Sequence, residues 1–169
     1  MELPEFQEFV EVRYTDLLRT AYLLTGDRGA AEDLVQAALL TTMRHWRSVA
    51  DPMAYVRRTM VNRRTSLWRR IGSRELLTDA PPDRGVPDGA AGRAERDELL
   101  TALGRLPVRM RAVLVLRYWE DLSEENTAQL LGCSVGTVKS QASRGLARLR
   151  DVLRPGRETQ ETTRVGGAA

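Results

Sequence analysis

The sequence predicts an all-α protein made of two small helical domains joined by a flexible linker. Three observations point there. Residues 76–94 are rich in Pro and Gly and hold no sustained period. On both sides of that stretch, apolar residues recur at three- and four-residue steps. The second half also contains a compact helix-turn-helix pattern between Ser123 and Arg150.

In the first half, Phe6, Phe9, Val10, Tyr14, Leu17, Leu18, Ala21 and Leu24 fall at helical spacing. Residues 4–24 therefore read as an amphipathic helix, ended by Thr25-Gly26-Asp27. A second helix is expected over about 28–45, with Leu34, Ala38 and Met43 toward the core and Glu32, Asp33 and Gln36 sharing a polar side. Residues 46–51 read as a loop. Asp51-Pro52 is a strong start signal, a capping acid followed by proline at the first helical position.

The third helix, 53–71, should have two faces. Met53, Val56, Met60, Leu67 and Ile71 make an apolar stripe. Arg58, Asn62, Thr65, Ser66 and Arg69 fall on another side, flanked by Arg57, Arg63, Arg64 and Arg70. Cations mixed with amide and hydroxyl groups suit a helix that packs inward and meets nucleic acid outward. Tyr55 and Trp68 lie near enough to stack on bases, and core packing suits either equally well.

Past the linker a new helical pattern begins at about Glu95, with Leu99, Leu100, Leu103 and Leu106, and breaks at Pro107. It resumes through Met110, Val113, Leu114 and Leu116 toward Trp119. Ser123 is placed to cap the next helix, and Gly132 follows Leu130 and Leu131 where a left-handed residue is wanted. Ser134 caps a last helix with Val138, Ala142, Gly145, Leu146, Leu149 and Leu153 on one side. Small Ala128 allows a close crossing, and Val138 plugs the angle between the helices. The opposite side carries Thr137, Lys139, Ser140, Gln141, Ser143 and Arg144, with no acid on this helix before Asp151. That face suits a DNA major groove better than the inside of a helical hairpin. Pro155-Gly156 stops the helix, and 156–169 read as a flexible tail.

Charge distribution says more than the net +3. Residues 1–33 hold eight acids against three arginines, whereas 44–74 hold nine arginines against one acid. A basic nucleic-acid face beside an acidic surface with another use follows from that asymmetry. Cys133 is alone, which excludes an internal disulfide, and its place after Gly132 suits buried filler. His45 is also alone, so no multi-histidine metal site, catalytic set or cofactor is expected. No apolar run reaches the length of a membrane span, and no signal-peptide pattern precedes the first helix. A cytoplasmic protein is expected.

Four blocks carry a resemblance: AEDLVQAAL (31–39), PMAYVRRTMVNRRTSLWRR (52–70), LPVRMRAVLVLRYWEDLS (106–123) and GCSVGTVKSQASRGLARLR (132–150). Together and in this order they resemble the extracytoplasmic-function sigma factors, small two-domain initiation subunits of bacterial RNA polymerase, and in particular the actinobacterial SigE-like branch. The resemblance implies a region 2 domain over 1–75, a linker over 76–94, a region 4 domain over 95–155 and a tail beyond. It implies that Glu32, Asp33, Leu34 and Gln36 bind the clamp helices of the polymerase core, a basic partner suited to acids and amides. Arg58, Asn62, Thr65, Ser66 and Arg69 would meet the minus-ten element, with Asn62 contacting the unpaired strand. Residues 46–51 lie where the family captures a flipped base, a step costing a few kcal/mol that stacking must offset.

Thr137, Lys139, Ser140, Gln141, Ser143 and Arg144 would read the minus-thirty-five element as duplex, Thr137 toward a phosphate. Many relatives have Arg where Gln141 stands, a change that removes a fixed cation and leaves a side chain able to pair with adenine. Asn126-Thr127 stand where relatives often carry an apolar pair, so looser packing is expected there. The implied function is promoter-specific initiation and melting without covalent chemistry, with an anti-sigma factor as a possible further partner. A free-standing helix-turn-helix regulator is the alternative, but it leaves the basic third helix and the acidic block unexplained.

Overall fold

A computed structural model describes residues 3–71 and 92–154, with side chains described over 4–66 and 92–154. Among the described residues the chain is helical throughout. Its elements are α1 (Leu3–Thr25), α2 (Arg28–Arg44), a 3-10 turn (Trp46–Ser48), α3 (Pro52–Ile71), α4 (Arg93–Gly104), α5 (Val108–Leu114), a π turn (Val115–Trp119), α6 (Glu124–Leu131) and α7 (Val135–Leu153). The linker lies almost wholly outside the described residues, although Arg93 and Ala94, expected within it, already belong to α4. The tail lies outside them too.

The helix boundaries follow from local chemistry. Asp27 accepts from the Ala30 amide at 2.7 Å and Asp51 from the Ala54 amide at 3.1 Å, so α2 and α3 each start on a carboxylate cap. The expected loop after α2 contains a 3-10 turn whose Trp46 is already engaged by α1. Its ring meets Phe6 edge-on at 5.2 Å and lies 5.4 Å from Phe9.

In the first half, Leu17 and Ala21 of α1, Ala31, Val35, Ala38 and Leu39 of α2, and Val56 and Met60 of α3 form one buried cluster. Met43, expected in that core, is instead 41% exposed. Thr42 takes the inward position, with its hydroxyl donating back to the Ala38 carbonyl at 2.9 Å, and Met43 is carried about 100° further round the helix. In the second half Leu103, Leu106, Met110, Val113, Leu114, Ala128, Val138 and Ala142 form a second cluster. Cys133 packs against it half-buried rather than fully buried. Gly145 is buried where α7 meets α5, and a Cβ there would stand 2.9 Å from Leu114 Cδ1.

A third buried cluster joins the halves. Leu24 and Val61 come from the first, and Ala112, Val115 and Leu116 from the second. Val61 lies outside the stripe expected for α3; it faces the second half, and its neighbour Met60 faces the first core. Leu67 and Ile71 have side chains outside the described residues.

Candidate nucleic-acid interface

The helix-turn-helix forms as its capping residues dictate. Ser123 Oγ accepts from the Asn126 amide at 3.0 Å, and Ser134 Oγ from the Thr137 amide at 3.1 Å. Gly132 adopts φ 64°, and the Cys133 amide returns to the Ala128 carbonyl at 3.0 Å. Those contacts turn the chain within three residues and satisfy carbonyls at the end of α6. Val138 is fully buried in the angle between the helices.

That packing turns the other side of α7 outward. Lys139, Ser143 and Arg144 are exposed. Ser140 and Gln141 are half-buried, and the Ser140 hydroxyl donates to the Thr137 carbonyl at 3.1 Å. Thr137 is exposed, but its hydroxyl already shares a hydrogen bond of 2.9 Å with Ser134 Oγ. Among the described residues, Arg144 is a cation of this face that forms no ion pair. Lys139 has a neighbour that the helix's own sequence does not reveal, Glu124 of α6, 3.6 Å from its ammonium. An ion pair this exposed adds little stability, but it places an acid at the edge of the basic face.

On α3 the outward side holds Arg58, Asn62 and Ser66, all exposed. Thr65 is half-buried and spends its hydroxyl on the Val61 carbonyl at 2.9 Å, so it offers less to a ligand than its spacing suggests. The side chains of Arg69, Arg70 and Trp68 lie outside the described residues. Arg63 reaches back to Thr41 Oγ1 at 3.3 Å. Tyr55 is half-buried with its ring 5.9 Å from His45.

Two of the flanking arginines turn away from this face. Arg64 donates through Nε to the Leu24 carbonyl at 3.3 Å, and burial lowers its pKa. Arg57 Nη2 lies 2.5 Å from Glu120 Oε2. The Thr20 hydroxyl donates to the other Glu120 oxygen. A third arginine, Arg111 of α5, is 5% exposed and donates through Nε to the Leu23 carbonyl at 2.5 Å. Burial first, and the Arg64 charge second, lower its pKa to about 10, so it stays cationic at neutral pH. Two guanidinium groups thus meet carbonyls in the last turn of α1, where the helix dipole favours positive charge. Sequence reasoning placed Arg57 and Arg64 only as flanks of the basic face and did not single out Thr20, Arg111 or Glu120, because their partners lie in distant segments.

On α2, Asp33 and Gln36 are exposed, and Glu32 is half-buried with Arg28 at 3.0 Å. Leu34 packs against both the first core and the cluster between the halves, so it serves the interior. Among the described residues no group of His, Cys, Asp and Glu is placed to hold a metal ion, and no helix is long and apolar enough to cross a membrane.

The fold and the α7 face define a helical DNA-binding protein whose helix-turn-helix follows and packs against a three-helix unit. Family models agree on both halves: Sigma-70 region 2 matches residues 9–74, and Sigma-70, region 4 matches residues 96–149. The chain is 44% identical over 155 residues to the RNA polymerase sigma-E factor of Streptomyces avermitilis, covering 90% of this chain and 87% of that one. It is 32% identical over 167 residues to the ECF RNA polymerase sigma factor SigE of Mycolicibacterium smegmatis, covering 89% of this chain and 62% of the relative. Its fold resembles that of the sigma factor RpoE in complex with the anti-sigma factor NepR from Bartonella quintana. There the TM-score is 0.73 at 24% identity, covering 91% of this chain and 98% of that one. The chain belongs to the extracytoplasmic-function sigma factors of RNA polymerase, and its similarity runs to the sigma-E relatives of the actinobacteria.

Proposed function

We propose that this sigma factor joins the polymerase core through α2, reads the minus-thirty-five element as duplex through α7, and captures the opened minus-ten element on α3. The observation that carries the reading is the difference between the two outward faces. Lys139 and Arg144, both in the N-terminal half of a groove-sized helix, suit duplex edges and phosphates. Asn62 and Ser66 are uncharged groups set among arginines, a mixture suited to unpaired bases held beside a backbone.

Exposed Asp33 and Gln36 supply the acid and amide for the basic clamp helices of the core, and Leu34 holds that surface on the fold. Binding energy opens the duplex, and the polymerase supplies the chemistry. Transcription in vitro with purified core polymerase on a genomic template tests the reading. Initiation at a small set of sites that share two elements is expected. DNA binding that is tight and specific without polymerase, together with no initiation, would favour a free-standing regulator instead.

A further inference from the structure

We propose that Glu124, at the start of α6, sets the affinity of the duplex-reading face. It holds Lys139 as an internal ion pair, so this lysine reaches DNA only by exchanging a carboxylate for a phosphate. The proposal rests on the reading of α7 given above.

The crossing of the two helices creates the pair. Ser123 caps α6, so Glu124 is its first helical residue, and Ser134 caps α7, so Lys139 lies on the second turn of that helix. Thr127 and Ala128, one turn after Glu124, and Val138, next to Lys139, are buried and fix the crossing. Glu124 Oε2 is thereby brought to 3.6 Å from Lys139 Nζ. The Glu124 side chain is 33% exposed and that of Lys139 63%, so both ends of the pair are open to solvent that a DNA backbone would displace. The amino terminus of α6 favours a negative charge at this position.

Two effects of the pair oppose each other at the DNA surface. A lysine already held in place loses less side-chain freedom when it meets a phosphate. A pair this exposed is worth little, however, and restrains the lysine only weakly. Against that, a phosphate contact gains mainly by releasing condensed counterions, each contact adding about −0.9 to the slope of log affinity against log salt. A lysine neutralised by Glu124 brings no net positive charge to the backbone, and the acid is left unpaired beside phosphates once the lysine moves. This second effect is the larger. Glu124 thus lowers the charge-driven, sequence-independent part of binding and leaves the base-edge contacts of Arg144 and its neighbours to supply more of the affinity.

Salt titration of holoenzymes, assembled from core polymerase and the full chain, on a duplex carrying the upstream element of a promoter found by transcription in vitro tests the pair. DNA contacts of the polymerase itself are common to all variants and drop out of the differences. Glu124→Gln keeps the shape and removes the charge. It should bind more tightly at low salt and steepen the slope by about one, so its advantage over wild type should shrink about three- to fourfold between about 50 and 200 mM salt. Tm should barely change, since an exposed pair adds little stability. Glu125→Gln removes the same charge from an exposed acid in the same turn of α6, and should steepen the slope less than half as much. Adding Lys139→Ala to Glu124→Gln should return the slope to its wild-type value.

An unchanged slope in Glu124→Gln, with Lys139→Ala still weakening that variant, would overturn the role of Glu124 and leave α7 as the duplex reader. Equal steepening by Glu124→Gln and Glu125→Gln would reduce the effect to net charge and overturn the pair in the same way. If neither Lys139→Ala nor Arg144→Ala alters duplex binding in the Glu124→Gln background, the reading of α7 itself fails, and this proposal fails with it.

Discussion

Gly145 of α7 lies against Leu114 of α5 so closely that a Cβ on the glycine would stand 2.9 Å from Leu114 Cδ1, and 3.0 Å from Met110 Cγ. Both neighbours are buried, Leu114 at 4% and Met110 at 3% exposure, so any shift has to be taken up inside the core rather than toward solvent. In an exposed helix, Gly→Ala stabilises by up to about 1 kcal/mol. Here overpacking costs about 1–3 kcal/mol and outweighs it. Gly145→Ala should therefore lower the midpoint of urea unfolding without changing the slope. A raised midpoint would mean that α5 and α7 can move apart at little cost.

Thr127 should respond in the opposite direction. It is fully buried on α6, and its hydroxyl has no hydrogen-bond partner among the described residues. Thr127→Val keeps the shape and removes the unsatisfied group, a gain of about 1–2 kcal/mol. For a domain of this size that is a rise in Tm of about 2–8 °C. A fall in Tm on calorimetry would show that the hydroxyl is satisfied in solution.

Asp33→Ala with Gln36→Ala should weaken binding to core polymerase and leave Tm unchanged, because both side chains are exposed. Where truncation leaves a buried partner charge unpaired, the loss is about 2–5 kcal/mol. Titration against purified core measures it. Unchanged affinity would remove this surface from the interface, and a collapse of helicity would make the two residues structural.

Parts of this architecture are legible from short-range chemistry. Ser123, Gly132 and Ser134 announce the helix-turn-helix, because caps and left-handed turns depend on residues within four positions. Asp51 before Pro52 marks the start of α3 for the same reason. The relation between the halves is not legible in that way. Nothing within a few residues marks Arg111 or Glu120 as interior, and only contacts with Leu23, Thr20 and Arg57 make them so. Val61 was the available hint, an apolar residue beside Met60 and off the main stripe, as a helix with two buried sides would require. The outward faces of α3 and α7 were foreseen as patterns. Which members stay available was not, since Thr65 and Ser140 turn their hydroxyls to their own helix backbone.

Permanganate reactivity of promoter thymines, measured with polymerase on double-stranded and premelted templates, tests the division of labour between α3 and α7 most directly. Arg144→Ala should reduce promoter association by about 1–3 kcal/mol if Arg144 pairs with a base edge, with the loss confined to the upstream element. Asn62→Ala should bind the closed duplex almost normally and lose reactivity around the downstream element, and premelting should restore part of its activity. Premelting should do less for Arg144→Ala. Rescue of both variants equally, or of neither, would contradict the assignment of strand capture to α3 and duplex reading to α7.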